Sequence, residues 1–217
     1  MRIAGIDPSL SNFGMAKGVL DLSSGSPIFD LQALVLAESK ADKANAKQVR
    51  KNSDDINRAR TLHEALHGFI ADVDLVVVEV PVGSQSARSM ASYGVCIGII
   101  ASIQKPLIQV TPAEVKLASV GSKTASKAEM IDWATNTYPT ADWIRHKQRG
   151  KLVLSNKNEH IADATAAIHA GLLTDQFKQI TAFMNIPQYG VHHVNYAHAV
   201  GNGSSRTSVH GFNISGA

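Results

Sequence analysis

Four side chains in this sequence combine residue types and settings suited to catalysis. Asp7 ends the short apolar run RIAGID, and Glu79 stands near the end of the β-branched run LVVVEV, with Pro81 just beyond. His160 and Asp163 lie three residues apart in EHIADATAAIHAG, so on a helix they share one face. A carboxylate in a β-branched core strand is costly unless it is paired or binds a metal. Neither run places a cation beside its acid. Carboxylates that converge without cations are what hard divalent ions such as magnesium require, because these ions bind oxygen ligands. Two such ions about 4 Å apart activate a water and stabilise the leaving oxygen in phosphodiester cleavage. Each acid taken singly has a plainer reading, a nearby Arg, Lys or backbone amide. His160 alone would be a surface imidazole, and Asp163 in register with it favours the functional reading.

The elements that must hold these groups follow from periodicity and turn chemistry. Residues 2–7 read as a strand, and 13–21 and 27–37 alternate after the turn clusters SLSN and SSGSP, which predicts an antiparallel meander. Residues 38–60 are highly charged and read as an exposed loop leading into a helix. Apolar residues at helical spacing begin at Ile56 and continue through Leu62, Leu66, Phe69 and Ile70. A buried strand over 74–80 follows, then a helix over 84–103 kept thin by Ala87, Ala91, Gly94, Cys96 and Gly98. A further strand spans 107–110, and Thr111-Pro112 caps the next helix. Another helix covers 126–138, and 143–154 reads as a basic, irregular insertion. Residues 158–173 form an alanine-rich amphipathic helix and 176–186 another, before a Gly-, Ser-, Asn- and His-rich tail. Strands first, then strands alternating with helices, predict an α/β fold: a mixed five-stranded sheet flanked by helices.

Composition narrows the class. A chain of 217 residues with 44% hydrophobic and 18% charged residues suits one elaborated soluble domain. Cys96 is the single cysteine, which excludes an intramolecular disulfide, a multi-cysteine zinc site and an iron–sulfur cluster. The longest apolar stretch, 94–103, is too short to cross a bilayer. With no charged leader at the N-terminus, a cytoplasmic location is expected, in a bacterial cell or a virus-infected host. Lys and Arg number 21 against 18 Asp and Glu, compatible with a polyanionic partner. The spacing of His192, His193, His198 and His210 suits no tetrahedral metal site, so the tail reads as non-ligating.

Four segments in order resemble the RuvC-type Holliday-junction resolvases, within the ribonuclease-H-like nuclease superfamily. They are GIDPSLSNFGMA, VVVEVP, AEVKLASVGSKTASKAEM and EHIADATAAIHAG. In the third, Lys116 and Lys127 stand eleven residues apart, matching the spacing of two functional lysines in that family. The resemblance covers about residues 1–174, a RuvC-like nuclease domain with a basic insertion at about 141–157. Residues 175–217 would be an extension, partly helical and then a Gly/Ser/His-rich tail. The resemblance implies that Asp7, Glu79, His160 and Asp163 form a metal-binding catalytic tetrad for Mg2+, with Mn2+ able to substitute. It implies that Lys116 and Lys127 act at the scissile phosphate, with Lys123 a third candidate for DNA contact. It also implies a homodimer acting on branched DNA, with no membrane and no small-molecule cofactor. Gly94 and Gly98, four apart, would let a partner helix approach closely.

Two departures stand out. The aromatic wedge that the family often carries after the strand glutamate is replaced by Val80-Pro81-Val82-Gly83. The insertion concentrates Arg145, Lys147, Arg149 and Lys151 within nine residues, a patch that supplies sequence-independent affinity for phosphates. Trp143 beside it would either stack on an unpaired base or anchor the loop. Lys40, Lys43, Lys47, Arg50, Lys51, Arg58 and Arg60, offset by acids, read as a solvated face. The competing functions are a less selective flap or branched-DNA nuclease and a non-catalytic junction-binding protein. An actin-like kinase would need two such domains and an adenosine site.

Overall fold

Apolar runs covered on both faces need no alternation, and RIAGID and LVVVE are such runs. In a computed structural model of the chain, which describes residues 1–24, 26–41 and 48–184, they form adjacent central strands. β1 (Arg2–Asp7), β2 (Asn12–Asp21) and β3 (Ile28–Glu38) make the expected meander. α1 (Gln48–Phe69) returns the chain to β4 (Leu75–Glu79), which pairs parallel with β1. α2 (Ala87–Ala101) leads to β5 (Leu107–Val110), parallel to β4. The sheet is mixed and five-stranded, as the sequence predicts, and runs β3-β2-β1-β4-β5.

Side-chain parity sorts the two faces. Ala4, Ile6, Val76 and Val78 pack against Leu62, Leu66 and Ile70 of α1 and Cys96, Ile99 and Ile100 of α2. Ile3, Leu75 and Val77 point the other way. That second face is covered from α3 (Pro112–Ser119), α4 (Lys127–Thr137), α5 (Asn158–Leu172) and α6 (Asp175–Met184), through Val115, Met130, Ile168 and Phe177. Capping boxes at Thr111/Glu114 and Ser126/Glu129 start α3 and α4. The compact unit runs from Met1 to Met184 and so includes α6.

Three expectations need correction. The basic insertion is not irregular: β6 (Arg145–Gln148) and β7 (Lys151–Leu154) form a two-stranded antiparallel ribbon. Its turn residues Arg149 and Gly150 both have positive φ, 48° and 79°, the sign required by a tight hairpin turn whose twist matches its strands. Helix α1 begins at Gln48, eight residues before the apolar spacing at Ile56. Arg58 is not on a solvated face. It is 7% exposed and donates to the carbonyls of Leu10 and Ser39 and to the hydroxyls of Ser11 and Ser39. Asp55 completes this strut by pairing with Arg58 at 3.5 Å and Arg88 at 2.6 Å, tying α1 to α2 and to the β1–β2 turn. Lys43, Lys47 and the His-rich tail lie outside the described residues, as do the side chains of Arg50 and Lys51.

Candidate active site

Parity and register bring the acids together. Asp7 and Glu79 end adjacent parallel strands, one step beyond the Ile6–Val78 pair, and share parity with Ile3, Leu75 and Val77. Both therefore face the layer that contains α5. That helix lies unusually close to the sheet. A Cβ on Gly5 would fall 1.9 Å from the carbonyl oxygen of Ala164, and one on Gly14 would fall 2.1 Å from that of His160. Gly14 is the cross-strand partner of Asp7, so the backbone of His160 rests directly beside the carboxyl end of β1. The result is a 2.8 Å hydrogen bond between His160 Nδ1 and Asp7 Oδ2.

The electrostatics are those of anions held together without enough cations. Burial, reinforced by the charges of Asp7 and Asp163 and opposed by Lys116, pushes the Glu79 carboxyl up to about 8. Burial and Asp7 push Asp163 up to about 7. Burial also raises Asp7, against the hydrogen bond and charge of His160. For His160, burial acts downward, but the hydrogen bond and charge of Asp7, with Glu159 and Asp163, outweigh it and raise the imidazole. Asp163 Oδ1 is buried and has no hydrogen-bond partner. An unsatisfied buried carboxylate oxygen among carboxylates fits a hard cation as its missing partner. Among the described residues, no three acid, His or Cys side chains form a closed ligand set.

Lys116 acts on Glu79 and Asp163 from α3, opposing the raised values of both. Lys127, the first residue of α4, reaches Glu159 Oε1 at 2.8 Å while its side chain stays 79% exposed. Glu159 does not stand out in the sequence, yet its Oε1 also lies 3.4 Å from His160 Nε2. A chain of contacts thus runs Asp7–His160–Glu159–Lys127. These last three residues, with Asn12, Ile131 and Lys157, line a pocket of about 480 Å³. The one local signal is the position of Glu159 beside His160, but its pairing with α4 spans 32 residues and leaves no local trace. Lys123 is exposed between α3 and α4, and its charge acts on Glu114 rather than on the acid cluster. Trp143 is an anchor and not a free stacking platform: it is 6% exposed, and its Nε1 donates to the Tyr138 carbonyl at 2.8 Å. Arg145, Lys147, Arg149 and Lys151 all stand on the exposed ribbon.

Among solved structures, the chain superimposes on Thermus thermophilus RuvC bound to a Holliday-junction substrate with a TM-score of 0.54. The identity is 18%, over 78% of this chain and 92% of that one. This is the ribonuclease-H-like fold of RuvC. A second Thermus thermophilus RuvC structure gives the same TM-score and identity over 83% of this chain and 97% of that one. The fowlpox virus Holliday-junction resolvase matches at a TM-score of 0.45 and 17% identity, over 77% of this chain and 94% of that one. No protein-family model and no curated protein matches the sequence. In this RuvC fold, Asp7 and Glu79 close the two central parallel strands, at the carboxyl-end crevice where open α/β sheets place their ligands. Among the described residues, no helix is long and apolar enough to cross a membrane.

Proposed function

We propose that the chain is a divalent-metal-dependent endonuclease that resolves four-way DNA junctions as a homodimer. The observation that carries the reading is the buried, partnerless Asp163 Oδ1 beside two further carboxylates with raised pKa. Asp7, Glu79, His160 and Asp163 would hold Mg2+, or Mn2+ in its place. When bound, the metal would supply an activated water and stabilise charge on the departing oxygen.

The chain's own groups have distinct tasks. Asp7 fixes the His160 ring through Nδ1, so that the neutral imidazole would carry its lone pair on Nε2, beside Glu159 Oε1 at 3.4 Å, and would take a proton or a cation there. Lys116 offsets the negative charge of Glu79 and Asp163. Lys127 sits at the rim, its exposed ammonium paired with Glu159, and would exchange that carboxylate for a phosphate as DNA arrives. The likeness to a RuvC structure in complex with a Holliday-junction substrate supports a branched substrate. A second copy would dock on α2, where Gly94, Gly98, Val95 and Ile99 meet Ile56 of α1 around a groove of about 450 Å³.

A less selective branched-DNA nuclease is the second reading. It is favoured by the segment after Glu79, where Val82 is 78% exposed and no aromatic is offered to a junction. Cleavage of four-way, three-way and linear substrates in Mg2+ and in EDTA separates the two. The junction resolvase cuts the four-way substrate in Mg2+ alone and spares linear duplex, and equal cutting of all three would establish the second reading. Tight junction binding with no cleavage in Mg2+ or Mn2+ would reduce the chain to a binding protein.

A further inference from the structure

The basic ribbon carries more than diffuse affinity. Several cations elsewhere are engaged: Arg2 and Lys17 with Asp72, Arg88 with Asp55, Lys157 with Glu38, and Lys178 with Asp175. Among the described residues, Arg145, Lys147, Arg149 and Lys151 find no ion-pair or side-chain hydrogen-bond partner, and all four are exposed. Register places them on both faces of the ribbon. Arg145 and Lys147 share a face with Leu152 and Leu154, whereas Lys151 pairs with Gln148 on the other. Leu152, 64% exposed, is an apolar residue set among these cations with no core to join.

The root is rigid and tied to the active-site helix. Asn158 is fully buried, and its side chain both accepts from the Ile144 amide and donates to the Ile144 carbonyl, each at 2.9 Å. Asn158 precedes His160 by two residues. Trp143 locks the approach to β6. The ribbon therefore projects at a fixed offset from the acid cluster.

Resting on the DNA substrate proposed above, we infer that this ribbon inserts into the major groove of a duplex arm beside the scissile phosphate. Dimensions select the groove. A two-stranded ribbon with side chains on both faces is about 10 Å thick, which fits a major groove about 12 Å wide and not a minor groove of about 6 Å. Four-residue strands extend about 13 Å, enough to reach a floor about 8.5 Å deep. Cations on both faces then meet phosphates on both walls, and Leu152 enters where base edges and thymine methyls lie.

The test reads binding, in EDTA, to a linear duplex and to a four-way junction, each with plain cytosine or glucosylated hydroxymethylcytosine, whose sugar fills the major groove. Wild-type protein is compared with a variant carrying Arg145→Ala, Lys147→Ala, Arg149→Asn and Lys151→Ala. Asn is used at 149 because it tolerates the positive φ there. A Leu152→Ser variant keeps the charges and serves as the second probe should the first fail to fold. Glucosylation should weaken wild-type binding about tenfold or more, on the scale of one good side-chain pairing with a base edge. It should leave the four-site variant unchanged, and it should cost Leu152→Ser less than wild type. Wild-type binding that is indifferent to glucosylation, or displaced instead by the minor-groove ligand netropsin, would overturn the inference. Absence of junction cleavage in Mg2+ would sink the nuclease reading while leaving this binding result intact.

Discussion

The acid cluster and the basic ribbon are linked along α5, whose Asn158 holds the root of the ribbon, and each is electrostatically unsatisfied in its own way. Beside the carboxyl ends of β1 and β4, Asp7, Glu79 and Asp163 are half-buried and pushed toward their neutral forms. On β6–β7, four cations stand in solvent. Half-buried carboxylates crowded together cost the fold, whereas exposed cations cost it little. The contrast separates rate from affinity: substitutions at the first region should act on the chemical step, and those at the second on the grip.

The largest expected effect tests the first half. Asp7→Asn, Glu79→Gln and Asp163→Asn should each lower single-turnover cleavage of a four-way junction more than about 10²-fold, the scale of losing one electrostatic contribution to the transition state, here through the metal these acids would hold. Filter binding should show junction affinity unchanged or tighter, because each change removes a negative charge facing DNA. Wild-type cleavage by any of these variants would remove that residue from the site.

Lys116→Ala and Lys127→Ala come next, with an expected loss of about 10²-fold in the saturated rate and little change in salt dependence. If either variant alters only affinity, that lysine belongs functionally with the ribbon.

Ribbon neutralisation should act at binding alone. The plot of log affinity against log salt should shallow by about 0.9 for each phosphate that is no longer neutralised, for branched and linear DNA alike.

The smallest effect is on stability. A Glu79 carboxyl whose folded value is about 8, against an ordinary 4.5, binds a proton in the native state that the unfolded chain releases. Stability of the metal-free protein should therefore fall as pH rises from about 4.5 to 8. Mg2+ should restore it at the upper end by binding the ionised site. Glu79→Gln should melt several degrees higher than wild type at pH 8 without metal. Calorimetry at pH 5 and pH 8 checks this, and equal melting of the two proteins at pH 8 would mean that Glu79 is not held against its charge.

Much of the first region is legible in the sequence. Acids ending apolar runs, and a His and an Asp in helical register, mark themselves by local pattern, and the five strands of the mixed sheet are read from the same runs. What local pattern misses is contact across the fold. Arg58 looks like one more surface cation because the carbonyls that bury it belong to Leu10 and Ser39. Glu159 gives no sign of its role because Lys127 arrives from another helix. The ribbon is hidden for a different reason. RHKQ has no apolar residue to alternate, and its turn is Arg-Gly rather than Asn-Gly, so neither strand nor hairpin signal is present. Gly5 and Gly14 read as ordinary strand glycines until α5 is seen resting on them.

The division between the regions is tested most directly by one single-turnover experiment. Asp7→Asn and the four-site ribbon variant are run in parallel on an immobile four-way junction in Mg2+, with protein raised to saturation at each of several salt concentrations. The account predicts that the ribbon variant, once saturated, cleaves at the wild-type rate, and that Asp7→Asn binds but does not cleave. A ribbon variant that stays slow at saturation, with Asp7→Asn cutting at the wild-type rate, would contradict it.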